Sequence, residues 1–284
     1  MTMARTFNTV ERMGREAGRA AVNAVPRPWV EKLARLGYAA RGAVYALVGI
    51  LAVQTAFGSR GQTTDTRGAL QKIAEQSTLL LWVIALGLFG YALWRIIQGV
   101  LDPENKGSDA KGLVKRGAMV AAGIVYGGLA LAAVRMASGS GDAGSGGQQG
   151  FTASLMDKPF GRWLVVLAGI AVIVSGLAQI KSGWTEKFKE HLKLQEMDAT
   201  EQRLAVNTGK TGLLARGIVF LLTGWFLIQA GLRHDPSQAR GLGGALETLA
   251  GQPYGPWLLG IVAIGLVAFG AYSILQARYR RIVF

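Results

Sequence analysis

Residues 42–57 read GAVYALVGILAVQTAF and contain no Asp, Glu, Lys, Arg or His. With their neighbours they form an apolar run over roughly Gly37–Phe57. That is about the 20 residues a helix needs to cross a hydrocarbon core of about 30 Å. In lipid the backbone must satisfy its own polar groups, so the run predicts a helix and not a strand. Five similar runs follow at Leu79–Val100, Gly117–Ala137, Trp163–Ile180, Gly212–Leu232 and Trp257–Ala277.

The opening stretch recurs along the chain. Aligning Gly42 with Gly123 and Gly217 also aligns Gly49 with Ala130 and Gly224, and Ala56 with Ala137 and Gly231. Tyr45, Tyr126 and Phe220 then coincide, as do Gln54, Arg135 and Gln229. The second helix of each pair aligns on Gly90, Gly176 and Gly270. The approach to it repeats too: GALQKIA at 68–74 matches GALETLA at 244–250, and PFGRW at 159–163 matches PYGPW at 253–257. Each unit predicts a membrane helix, a short outer amphipathic helix and a second membrane helix, at 33–104, 113–184 and 207–281. A two-helix step restores the same orientation, so the copies are parallel repeats related by an axis along the membrane normal. The expected fold is an all-α membrane protein, with six transmembrane helices in a pseudo-threefold arrangement.

Charge sets the expected orientation. With the N-terminus inside, 23 of the 31 Lys and Arg fall in inside segments and 8 outside. This positive-inside pattern predicts a multi-pass protein of the bacterial cytoplasmic (inner) membrane with both termini cytoplasmic. It accounts for the net charge of +14 without nucleic acid. Residues 1–32 are basic and show no signal-peptide run. Phe7, Val10, Met13 and Ala17 share one helical face, which predicts a helix lying on the inner surface. Residues 185–206 read as an amphipathic linker helix following Trp184, with Trp184, Phe188 and Leu192 in step. That helix is either a surface element or a docking element for a partner. The Gly/Ser-rich run 138–150 contains a GxGxxG match, but it follows a membrane helix and predicts a flexible linker.

Three tandem two-helix units, opening as Leu36-Gly37-Tyr38-Ala39-Ala40-Arg41-Gly42 and Leu213-Leu214-Ala215-Arg216-Gly217, resemble a bacterial integral-membrane family. That family is known as domain of unknown function 1206. The resemblance covers about residues 33–281 and implies fold and location, with no activity attached. Repeat 2 departs from it with Ala122 where the others carry Arg41 and Arg216.

Three groups of residues are candidates for packing or binding. The recurring small residues Gly42, Gly49, Gly123, Gly127, Gly217, Gly224, Gly90, Gly176 and Gly270 form helix-packing seams, since lipid gives helices no hydrophobic drive to associate. Arg41 and Arg216 stand at the inner starts of their helices. They either snorkel to the headgroups or form an anion or lipid-headgroup site. Gln54, Arg135 and Gln229 would ring the outer end of the bundle, as headgroup contacts or as the mouth of a pore. Tyr45, Tyr126 and Phe220 read as core aromatics. Trp82, Trp163 and Trp257 on the outer side, with Trp94 and Trp184 on the inner, read as interfacial belts.

The chain has no cysteine and only two histidines. Neither a metal cluster nor a catalytic constellation is expected, and no cofactor. The apolar runs hold no carboxylate for ion coupling. The expected function is non-enzymatic: a structural or accessory protein that binds the bilayer, an anionic lipid or a membrane-protein partner. The alternative is an uncoupled channel or facilitator along the pseudo-threefold axis.

Overall fold

The structure, a computed structural model, describes residues 27–58, 64–140 and 146–282. Among the described residues, six long helices carry the apolar runs: α1 (Arg27–Ala56), α3 (Thr78–Leu101), α4 (Ala110–Ala137), α6 (Gly161–Trp184), α7 (Ala199–Arg233) and α9 (Gly255–Tyr279). Their most apolar stretches have mean hydropathies of 1.6 to 2.3, long and apolar enough to cross a membrane. Three short helices bridge the pairs, α2 (Thr66–Gln76), α5 (Gly146–Met156) and α8 (Leu242–Ala250). The result is an all-α, multi-pass membrane protein of three tandem two-helix units.

Local chemistry starts and stops these helices. The Asp65 and Ser77 side chains accept from the backbone N–H of Gly68 and Leu80, at 2.8 and 3.2 Å, and start α2 and α3. Such caps satisfy N–H groups that a helix start leaves unpaired. Asp198 and Glu201 form a reciprocal capping box at the start of α7. The repeated Pro-aromatic-Gly motif makes one turn twice. Phe160 and Tyr254 both adopt a left-handed backbone (φ 62 and 63). A Cβ on the following Gly161 or Gly255 would lie 1.8 or 1.9 Å from a carbonyl oxygen of the preceding helix.

Three interfaces between successive units have the same construction. A Cβ on Gly42 of α1 would meet the Gly270 carbonyl oxygen at 2.8 Å and Ile274 of α9. One on Gly217 of α7 would meet the Gly176 oxygen at 2.9 Å and Ile180 of α6. One on Gly123 of α4 would meet the Ala92 oxygen at 2.9 Å and Ile96 of α3. Gly49 and Gly224 repeat the close approach one level further along, against Ala263 and Gly169. The second-helix equivalents are therefore Ala92, Gly176 and Gly270. The alignment on Gly90 is two residues out: Gly90 packs instead on Leu33 of α1. Gly127 makes no close approach, since its Cβ would lie 3.9 Å from Ala92 Cβ.

Within units the pattern breaks once. Gly37 of α1 receives the backbone of Tyr91 from α3, and Gly212 of α7 receives that of Phe269 from α9. Ala40 likewise touches Gly87, and Ala215 touches Gly265. The pairs α1–α3 and α7–α9 pack, whereas α4 and α6 scarcely meet. The corresponding residues in repeat 2 are Ala118, Ala121, Ala171 and Ser175; the three alanines are exposed and Ser175 is half-buried.

Other elements also depart from the sequence reading. The interfacial helix expected over residues 1–32 lies outside the described residues up to 26, and 27–32 form the start of α1. Residues 185–206 are not one helix. Two 3₁₀ turns, Lys187–His191 and Leu194–Glu196, precede α7, which begins at Ala199. Phe188 and Leu192 are buried there while Trp184 is exposed. The backbone of this segment pairs with the end of α9 through Lys193 N–H to the Tyr279 oxygen (2.8 Å) and Arg281 N–H to the His191 oxygen (3.0 Å). That pairing satisfies backbone groups a helix would have satisfied itself. Residues 146–150 of the expected linker form the first turns of α5, and 141–145 lie outside the described residues. Trp94 is buried and belongs to the core instead of a belt.

The glycine contacts yield a test. Gly224→Leu drives a side chain into the Gly169 backbone and Ile173. It should lower the detergent unfolding midpoint strongly, because overpacking costs at least about 1–3 kcal/mol. Gly128→Leu, whose Cβ meets nothing within 4 Å, should leave the midpoint unchanged in the same thermal scan. Equal effects of the two changes would refute the packing account.

Candidate anion site in the bundle

Arg41 does not snorkel. Its residue is only 3% exposed, and its guanidinium points between helices. It donates to the Tyr91 hydroxyl of α3 and, from α9, to Ser273 Oγ at 3.0 Å and Gln276 Oε1 at 2.6 Å. The rings of Tyr38, Tyr91 and Phe269 surround it with centroids 4.8–5.0 Å away. Arg216 on α7 is held similarly. It donates to the Tyr45 hydroxyl at 3.2 Å and to Gln179 Oε1 of α6 at 2.7 Å. Its guanidinium lies 4.4 Å from the Phe220 centroid and 4.8 Å from that of Phe269. Aromatic faces attract cations through the ring quadrupole, and Phe269 serves both arginines.

The corrected register explains the missing third arginine. Position 122 is alanine, but Arg95 of α3 corresponds in the other repeats to Gln179 and Ser273, the partners of Arg216 and Arg41. The charge has changed sides of the interface. Arg95 donates to the Tyr91 hydroxyl at 2.9 Å and to Gln98 Oε1 at 3.2 Å. Tyr91 therefore accepts from two arginines on two helices.

A fourth cation closes the basic end. Arg280, 8% exposed, lies over the Tyr38 ring at 5.1 Å. Its guanidinium is 3.4 Å from Glu104, which also meets Lys106 at 3.2 Å and accepts from Gln98 at 2.7 Å. Arg280, Glu104 and Lys106 line a cavity of about 280 Å3 together with Ala178, Ser182 and His191. Among the described residues, Arg41, Arg95, Arg216, Arg280 and Lys106 face it, against the carboxylate of Glu104 alone.

Such an arrangement is electrostatically incomplete. Arg41 and Arg216 both lie about 5 Å from the Phe269 ring centre. Two like charges 10 Å apart, the widest separation this permits, repel by about 2 kcal/mol at an effective dielectric constant of about 20. Their hydrogen-bond acceptors are neutral hydroxyls and amides, which satisfy N–H groups without cancelling charge. The Nε–H groups of Arg41 and Arg280 are buried without a hydrogen-bond partner. Ionisable groups inside a membrane bundle are costly and mark functional sites by default. Here they would accept a phosphate or carboxylate, which guanidinium forks match in geometry.

The family model for Domain of Unknown Function (DUF1206) matches this chain three times, at residues 36–102, 118–186 and 211–280. The chain belongs to the DUF1206 family. The DUF1206 matches coincide with the three structural units, so each match is one helix pair. A Bacillus subtilis (strain 168) protein, described as uncharacterized protein YxxB, is 37% identical over 256 residues, covering 89% of this chain and 92% of the relative. No solved structure matches.

The other candidates lie apart from the cavity. Gln54 and Arg135 are exposed and Gln229 half-buried, and none of them lines it. Their helices α1, α4 and α7 pack chiefly on other helices. Tyr45 and Tyr126 are buried core aromatics, and Tyr45 also holds Arg216. Arg95, Arg280, Gln179, Ser273 and Gln276 escaped the sequence reading. Arg95 and the first apolar run's Arg41 carried the available signal, each a lone charge inside an otherwise apolar stretch.

Two tests follow from the charge balance. Arg41→Met removes a buried cation lacking an anion and keeps the side-chain volume. It should stabilise the anion-free protein by about 1–4 kcal/mol; a lowered unfolding midpoint in detergent would make Arg41 a structural tie instead. The contacts of Glu104 and His191 at the basic end should be acid-sensitive in two steps. Burial opposes ionisation of Glu104, but Arg280 and Lys106 outweigh it and hold its pKa below the usual glutamate range. Burial, with Arg280, holds His191 below the ordinary histidine value of 6.5. Both folded values are depressed, so both contributions are complete above the unfolded values and fade as pH falls. Stability should decline first below about pH 6.5 through His191 and again below about pH 4.3 through Glu104. His191→Gln should abolish the first step of a pH-dependent melt, and an unaltered profile would contradict the assignment.

Proposed function

We propose that the protein is a non-enzymatic, anion-binding accessory protein of the bacterial cytoplasmic membrane, with both termini cytoplasmic. One observation carries the reading: four arginines converge on one cavity that, among the described residues, offers a single carboxylate. An anion there would meet fixed donors in a low-dielectric setting, where each charge-assisted hydrogen bond is stronger than in water. The excess of Lys and Arg at that end supports its cytoplasmic placement. The equivalence of the three inter-repeat interfaces supports a pseudo-threefold axis along the membrane normal.

Binding is favoured over passage. Beyond Arg41 and Arg216 the bundle buries Val48, Ala52, Ala130, Ala133 and Val219 in one apolar core. That core offers a permeating anion no hydrogen bonds. The residues around the cavity include no paired carboxylates or nucleophile–base pair that would suggest a reaction on the bound anion.

The reading is tested with delipidated protein in neutral detergent, titrated with inorganic phosphate at constant ionic strength. A ligand at a hundredfold its dissociation constant stabilises by about 2.7 kcal/mol. The unfolding midpoint of the wild type should rise by several degrees. Arg41→Gln/Arg216→Gln should show no rise. A wild type indifferent to phosphate, or a double variant that responds equally, would count against the site.

A further inference from the structure

We infer that the anion is the headgroup of a membrane phospholipid, whose acyl chains lie in the open cleft between α4 and α6. This rests on the anion-site reading above and names its ligand.

The cleft is a helix contact that repeats 1 and 3 make and repeat 2 does not. In the packed pairs a glycine forms a hole, and the backbone and Cβ of an aromatic residue enter it as the knob: Gly37 with Tyr91, and Gly212 with Phe269. Repeat 2 has Ala118 and Ser175 at these positions, so a methyl group fills the hole and the aromatic side chain is missing. Ala118, Ala121 and Ala171 are consequently exposed and Ser175 half-buried, and they give the cleft a wall of small side chains. The apolar residues Ile124, Val125, Val174 and Leu177 on the same two helices are exposed as well.

The cavity opens where this cleft runs. Met119 of α4 and Ala178, Gln179 and Ser182 of α6 line the cavity, and Ala178 is also exposed. The basic end is obstructed by contrast. The 3₁₀ segment pairs with the chain after α9, and Glu104 ties Arg280 to Lys106 across that end. Lateral entry from the bilayer is therefore less hindered than entry from water.

Size and charge select the occupant. A cavity of about 280 Å3 is slightly below the usual range for a whole drug-sized ligand, about 300–1,000 Å3. It accommodates a phosphate with its glycerol attachment and leaves the rest of an amphiphile outside. The apolar cleft beside it complements acyl chains, and the arginines complement the phosphate. Arg41 and Arg280 retain buried Nε–H donors to offer it. Exposed Lys115 and Lys181, near the inner ends of α4 and α6, can attract an acidic headgroup towards the opening.

The test restores the missing contact. Ala118→Gly/Ser175→Phe gives repeat 2 the hole and knob of its siblings and should close the cleft while leaving the arginines in place. Native mass spectrometry in mild detergent reads retention of added phosphatidic acid or phosphatidylcholine, and the phosphate titration of the melt reads the anion pocket. Wild type should retain phosphatidic acid at one per chain. Retention should fall at least tenfold in Ala118→Gly/Ser175→Phe and in Arg41→Gln/Arg216→Gln. The cleft variant alone should keep its response to inorganic phosphate, which shows that it is folded. Phosphate binding without stoichiometric phosphatidic acid, or undiminished retention by a folded cleft variant, overturns the lipid assignment and leaves the anion site standing. Equal retention of phosphatidylcholine overturns selection by headgroup charge. Binding of neither phosphate nor lipid removes both proposals.

Discussion

Backbone-to-backbone approach at Gly42/Gly270 and Gly176/Gly217 is the contact on which the bundle depends. Lipid tails are as apolar as leucine, so membrane helices gain little by hiding apolar surface from them. They gain from dispersion at short range, and dispersion falls steeply with distance. Glycine removes the atom that would hold the axes apart. Three interfaces of this kind join each unit to the next, with isoleucines 96, 180 and 274 packed beside the contact each time.

The same close packing makes the arginine cluster feasible. Arg41 reaches Tyr91 on one neighbour and Ser273 and Gln276 on another because α1 lies tight against both α3 and α9. Held farther apart, the helices would leave the guanidinium to water or headgroups, as snorkelling requires. Aromatic rings fill the space between the cations, and Phe269 stands between two of them. The structure thus accommodates several cations in an apolar bundle with neutral partners, while their summed charge remains available to a ligand.

Repeat 2 shows how sequence drift within a duplicated unit creates asymmetry. Loss of the arginine at position 122 is matched by a gain at 95, so the cluster keeps three arginines at the three equivalent interfaces. Loss of the hole and knob at 118 and 175 has no such compensation, and α4 stays apart from α6. The first unit therefore supplies the charge moved across the interface, and the second supplies an opening to its side.

Helix number and the repeat were legible in the chain because each rests on local composition: apolar length, the recurring small residues and the repeated Pro-aromatic-Gly motif. The seams at Gly42, Gly123 and Gly217 were legible too, since a seven-residue spacing presents one face to a partner. The register of the second helices was not. Glycine occurs at both 87 and 90 on α3, and only the facing residues identify Ala92 as the true equivalent. The direction of a side chain is likewise set by its neighbours. Nothing in residues near Arg41 or Arg216 distinguishes a guanidinium reaching the headgroups from one buried between helices, because Ser273, Gln276 and Gln179 are distant in sequence. Local chemistry made the helices and their order; the burial of the cations and the gap between α4 and α6 arose only when distant surfaces met.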